Sequence, residues 1–199
     1  SMGGMAILSL AALHPEEFGG RVVGVVLANT AAADLVKETL GGLAARAVAL
    51  LRAAARPSRV GWILRQAGGP GSDLAFLVAR ATNFGPGAPA SLIDHVTRIS
   101  VGTPVEVWTD LLGSLMEMDL RHAMEHVRVP ALVLAGDVDR LTPQATAAVL
   151  RRGLPDARVM VFRGAGHCAM LERHEEFNQV VEGFVHDLAP RGRRERAPA

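Results

Sequence analysis

Tyrosine does not occur in the 199 residues, tryptophan occurs twice and phenylalanine six times. So thin an aromatic complement leaves no stacking platform for single-stranded nucleic acid. Neither sign of charge is in surplus: 21 Lys and Arg oppose 20 Asp and Glu, for a formal net charge of +1. That balance provides no electrostatic attraction to nucleic acid or to an anionic surface, and leaves small or neutral substrates open. A single cysteine, Cys168, excludes an internal disulfide framework and any zinc site built from several thiolates. It leaves the compartment undecided, with the cytoplasm as the default expectation. Long apolar runs are missing as well. The strongest, Gly3 to Leu13 and Val22 to Ala28, are too short to cross a hydrocarbon layer, and neither resembles an export signal with a charged leader and cleavage site.

What is present is apolar material, 49% of all residues, enough for one compact domain with a core or a smaller core plus an accessory layer. Gly3 to Leu13 is apolar nearly all round and predicts a helix buried on more than one side, ended by His14-Pro15. Val22 to Leu27 is a short β-branched run with little alternation, the pattern of a parallel strand covered on both faces. Leu43, Ala47, Leu50, Leu51 and Ala54 recur at helical spacing, and a short helix is expected around Leu74 to Ala81 between two Gly/Pro-rich stretches. Thr103-Pro104-Val105-Glu106 reads as a capping box for a helix over about 104–115. The region from about 31 to 122 is therefore helical with loops. The period then changes: strand at Ala131 to Ala135, helix from Thr142-Pro143 to just before Gly153, strand at Arg158 to Phe162, and a final helix striped by Phe177, Val180, Val181, Phe184, Val185 and Leu188. Strand, helix, strand, helix is the parallel α/β pattern. The polar stretch 190–199 reads as a frayed tail. Three short strands are a thin core, so partner strands are expected from elsewhere.

Three segments carry chemistry. Ser1-Met2-Gly3-Gly4, running at once into the apolar helix, matches the back half of Gly-x-Ser-x-Gly. Small residues around such a serine let a strand turn sharply into a helix and leave the hydroxyl exposed above the helix N-terminus. There the N–H of Met2 would face a developing oxyanion. A serine ahead of glycines is also what an expression tag leaves behind. The second segment, Gly136-Asp137-Val138-Asp139, puts two acids just beyond the carboxyl end of a strand, where open α/β sheets place their active sites; acids in a solvated loop are the plain alternative. The third, Gly164-Ala165-Gly166-His167, holds a histidine between small residues after a strand, as a general base requires; a surface histidine is its plain alternative. Serine, acid and histidine in that order, with Asp139 and His167 28 residues apart across one helix and one strand, form one of the known triad orders.

With these motifs the chain resembles the α/β-hydrolase superfamily, and within it the cap-bearing esterases, lipases, haloperoxidase-like enzymes and carbon–carbon bond hydrolases. Ser1 to Met5 is similar to the end of that family's nucleophile elbow, Leu134 to Pro143 to its acid motif and Gly164 to His167 to its histidine motif. The resemblance implies an α/β fold consisting of the C-terminal part of the α/β-hydrolase fold, parallel strands six to eight with flanking helices, plus an inserted helical cap. Residues 1–30 and 123–189 would be core segments, 31–122 the cap and 190–199 the tail. It implies Ser1 as nucleophile, His167 as base, Asp139 rather than Asp137 as the triad acid, and Met2 N–H as an oxyanion donor. The substrate would be a small-molecule carboxylic ester, with no cofactor and no metal. Trp108, Leu111, Leu112 and Met116, together with Met118, could line an apolar pocket, though packing under the cap explains them equally. Strands one to five, the leading Gly-x and the loop bearing a second oxyanion N–H are absent from these residues. The missing N-terminal half would be another segment or chain, and the 199 residues alone are expected to be inactive and to aggregate. Oligomeric state is unknown at this level.

Other features have plainer readings. His122-Ala-Met-Glu125-His126 fits an inverted zinc-peptidase string, but five residues without a third ligand are explained by a linker helix. Arg46, Arg52, Arg56, Arg59 and Arg65 read as a solvated face, or as a rim that greets an anionic substrate. Two rival functions stand beside the esterase: an enzyme whose N-terminal serine uses its own amine as base, and a hydrolase-fold binding or scaffold protein with a degenerate site. Carbon–carbon bond, thioester and lactone hydrolysis are the alternatives within the family.

Overall fold

The computed structural model describes residues 1–33 and 72–188, except for the side chains of Val105, Glu106, Trp108, Thr109, Leu112 and Met116. The helical stripe expected over 43–54, the arginine string and the tail at 190–199 lie outside the described residues.

Three parallel strands, β1 (Val25–Ala28), β2 (Ala131–Gly136) and β3 (Ala157–Phe162), form a sheet in that order, with Val25 beside Ala131 and Ala131 beside Ala157. All six residues of the central strand are buried, because helices cover both faces. Ala131, Val133 and Ala135 face a cluster with Leu8 and Ala11 of α1 (Met2–Leu13) and with Ala147 and Leu150 of α5 (Gln144–Gly153). Leu132 and Leu134 face the other way, onto Phe162 and onto Phe184 of α7 (His174–Leu188). Phe162 is fully buried and stacks on Phe177 at 5.7 Å between ring centroids; burying such a side chain contributes about 2–3 kcal/mol. β3 is more open, with Val159 39% exposed. The outer edge of β1 has no strand beside it among the described residues.

β1 starts three residues later than the apolar run predicts. Val22 instead bridges to Phe18, and Gly24 lies under Leu188, whose methyl would sit 2.3 Å from a Cβ at that position. Between β1 and β2 the chain forms α2 (Asp73–Asn83), α3 (Ala90–Val101) and α4 (Val105–Glu117). Its exit and return lie side by side: Ala33 and Asp119 form an antiparallel bridge, and Leu120 N–H donates to Ala32 O at 2.7 Å. The helical region is thus inserted into the sheet domain at a pinched neck. Thr103 is not the N-cap of α4. The N-cap of α4 is Pro104, without a side-chain bond. In the same way Pro143, not Thr142, caps α5, and Gly153 lies within the helix.

Candidate active site

The carboxyl ends of all three strands meet at one place. After β1, Asn29 adopts φ +45°, in the left-handed region that asparagine tolerates better than most residues. Its carboxamide donates to Asp139 Oδ2 at 2.9 Å and to Gly166 O at 3.3 Å. After β2, Gly136 allows two loops to touch, since a Cβ there would lie 2.2 Å from Ala165 O and 2.4 Å from Gly166 O. After β3, Gly164 turns the chain at φ +68°, and its N–H donates to Asp137 Oδ1 at 2.6 Å. Asp137 therefore ties down the histidine loop.

The other acid of the motif reaches the histidine. His167 Nδ1 lies 2.9 Å from Asp139 Oδ2. The Asp139 side chain is fully shielded from solvent, and that of His167 is 14% exposed. Asp139 Oδ1 accepts from Leu141 N–H at 2.8 Å and Thr142 N–H at 2.9 Å, and Oδ2 accepts from Thr142 Oγ1 at 2.7 Å. With the Thr142 hydroxyl proton committed to the carboxylate, its oxygen offers a lone pair to Nδ1–H at 3.3 Å. Burial, the largest single influence, pushes the Asp139 carboxyl up. The hydrogen bond and charge of His167, with the bonds from Thr142 and Asn29, outweigh it and hold the group below its ordinary value. An ionised partner at Nδ1 fixes the imidazole tautomer and leaves Nε2 as the basic nitrogen.

Ser1 sits at the N-terminus of α1 as its N-cap. Its backbone nitrogen donates to Ala28 O at 3.2 Å, and Thr30 Oγ1 donates to its carbonyl at 2.7 Å. A Cβ on Gly4 would fall 2.5 Å from Thr30 Cγ2, so glycine lets the first turn of α1 press onto this threonine. No hydrogen bond joins the Ser1 hydroxyl to His167 among the described residues. Met2 N–H opens the first turn of α1 and has no intrahelical acceptor.

Of the residues expected to line a pocket, Leu111 is partly buried in α4, while the side chains of Trp108, Leu112 and Met116 lie outside what is described. His122 to His126 lie in a 3-10 helix, Arg121–His126, with Ala123 and Met124 buried. Three residues at the site were not singled out from sequence. Asn29 and Asp137 as a loop tie act through contacts distant in the chain, whereas Thr142 binds the acid three residues before it. The one local signal was Asn29 itself, a polar residue directly after a buried apolar strand.

A model of the alpha/beta hydrolase family matches residues 1–180. A pimeloyl-[acyl-carrier protein] methyl ester esterase of Neisseria meningitidis is 28% identical over 185 residues, covering 93% of this chain and 67% of that protein. Among solved structures, a thermophilic esterase from Thermogutta terrifontis superposes with a TM-score of 0.71 at 20% identity, over 96% of this chain and 64% of its own. The enol-lactonase from Burkholderia xenovorans LB400 superposes with a TM-score of 0.57 at 26% identity, over 94% and 63%. The chain thus spans about two-thirds of the length of these proteins.

Proposed function

Since the chain belongs to the alpha/beta hydrolase family, we propose that it carries the triad of a serine hydrolase that cleaves a small or medium-chain carboxylic ester through an acyl-enzyme intermediate. In this reading Ser1 Oγ attacks the acyl carbonyl while His167 Nε2 takes its proton, and the same nitrogen then protonates the leaving alcohol. Asp139 keeps Nδ1 protonated and offsets the charge that forms on the imidazole. Met2 N–H donates to the tetrahedral oxyanion. Residues 31–122 form the cap, 1–30 and 123–189 the core and 190–199 a tail, and the substrate occupies the space between cap and sheet. Leu111, partly buried in α4, contributes to the wall against the acyl chain. The preceding half of the fold, as another segment or chain, supplies the strand beside β1 and the second oxyanion donor.

One observation carries the reading. Asn29 and Thr30 are consecutive, and the first donates to Asp139 while the second donates to the Ser1 carbonyl. A single turn thereby ties the serine to the acid–histidine pair, although the two acids of the motif and the histidine lie more than a hundred positions away in sequence. The ester-cleaving relative from Neisseria supports an ester as the substrate class.

The test uses the complete polypeptide with any preceding segment. A fluorophosphonate probe should label Ser1, and His167→Ala should abolish burst release from a p-nitrophenyl ester. An unchanged burst in His167→Ala sinks the assignment.

A further inference from the structure

Glu172 ends α6 (Ala169–Glu172), the short helix that follows the histidine. Its carboxylate lies between two backbone segments from different parts of the molecule. Oε1 accepts from Gly166 N–H at 2.7 Å, one residue before His167. Oε2 accepts from Gly85 N–H at 2.7 Å, just beyond α2 of the helical insertion. Amide–carboxylate bonds of this length are of the strong, charge-assisted kind.

The two segments are packed so closely that neither tolerates a side chain. A Cβ on Gly85 would lie 2.0 Å from Gly164 O, and one on Gly166 would lie 2.6 Å from the carbonyl carbon of Phe84. Further bonds run in parallel: Cys168 N–H donates to Asn83 O at 2.9 Å, and the Arg140 guanidinium donates to Ala81 O at 2.9 Å. The stretch 81–85 is therefore fastened to the loops that carry both Asp139 and His167. Phe84, buried against Ala79 and Ile93 with Cys168 alongside, is the apolar anchor of the same contact. Among the described residues of this joint, only the Glu172 side chain binds both sides at once.

We propose that Glu172 is a positioning residue: by holding the Gly166 and Gly85 amides on one carboxylate it sets His167 and the docked end of the insertion as one unit. The inference rests on the hydrolase reading for the reaction it serves, and on geometry alone for the clasp. A neutral amide in place of the carboxylate keeps one acceptor and turns an NH2 toward the other N–H. Glu172→Gln should therefore undo one half of the clasp without removing bulk.

The experiment compares the complete polypeptide with its Glu172→Gln and Gly85→Ala forms. Fluorophosphonate titration gives the number of competent serines, and kcat per titrated serine and KM are measured on p-nitrophenyl acetate and octanoate. Amide exchange at Gly85 and Gly166 is followed by NMR. Both variants should lose about tenfold in kcat per titrated serine, with KM for the acetate changed less than twofold and faster exchange at both glycines. A lower count of competent serines with unchanged kcat per serine means a folding role only and overturns the proposal. If the unsubstituted protein does not label at all, the hydrolase reading fails, and exchange decides the clasp by itself: protection unchanged at Gly85 and Gly166 in Glu172→Gln overturns it.

Discussion

The acid and the serine are held in different ways. Asp139 takes five hydrogen bonds on two oxygens, from Asn29, Leu141, Thr142 twice and His167, in a pocket closed to solvent. Ser1 is held through its backbone, by Ala28, Thr30 and its own helix turn. The acid is fixed by side chains and amides converging from three segments, the serine by the end of one strand. Losses at the acid should therefore unpair many groups at once, whereas losses at the serine should be local and modest.

The largest effect is expected from Asp139→Ala. It leaves the Asn29, Leu141 and Thr142 donors facing a void and removes the partner of Nδ1. Breaking a buried charged cluster costs about 3 kcal/mol or more, and a triad without its acid loses about 10⁴-fold in kcat. Denaturant unfolding and ester turnover should both respond. A protein of wild-type stability would show that the five bonds do not act together.

Thr30→Val probes the other side of the comparison. Valine keeps the volume that meets Gly4 but cannot donate to the Ser1 carbonyl, which retains the Gly4 amide at 3.0 Å. The expected cost is about 1 kcal/mol in stability, with a several-fold slower fluorophosphonate reaction and an unaltered Asp139–His167 pair. A loss of stability as large as that of Asp139→Ala would erase the proposed contrast.

The same asymmetry explains how much could be read from the residues. β2 and β3 stand within a residue of where their apolar runs place them; β2 is covered on both faces, and composition alone marks such a strand. The histidine and acid loops were legible because glycine and small residues crowd around them, and the contacts at Gly136 and Gly166 show why no side chain fits. α3 was hidden by the Gly85–Pro89 punctuation before it, although Ile93 and Thr97 mark a buried face one turn apart. Val22 had strand composition, but its fate was decided by Phe18 and by Leu188 over Gly24. Thr142 read as a helix cap because hydroxyls before proline often cap; its hydroxyl went instead to a carboxylate three residues back. Asn29 and Glu172 have partners as far as 137 and 87 positions away. No local pattern encodes a partner at that range.

The smallest effect is one of pH, and it tests whether the donors around Asp139 outweigh its burial. A carboxyl with a folded pKa below its ordinary 3.8 binds fewer protons in the folded than in the unfolded state near that pH. Stability therefore rises with pH across this window. The contribution is fully present above 3.8 and is lost as pH falls through the lower folded value. The Asp139 carboxyl carbon, followed by NMR in the complete polypeptide, should titrate with a midpoint below 3.8. A midpoint above 3.8 would mean that burial dominates, that the five bonds do not hold the charge, and that acid and serine differ less than their contacts imply.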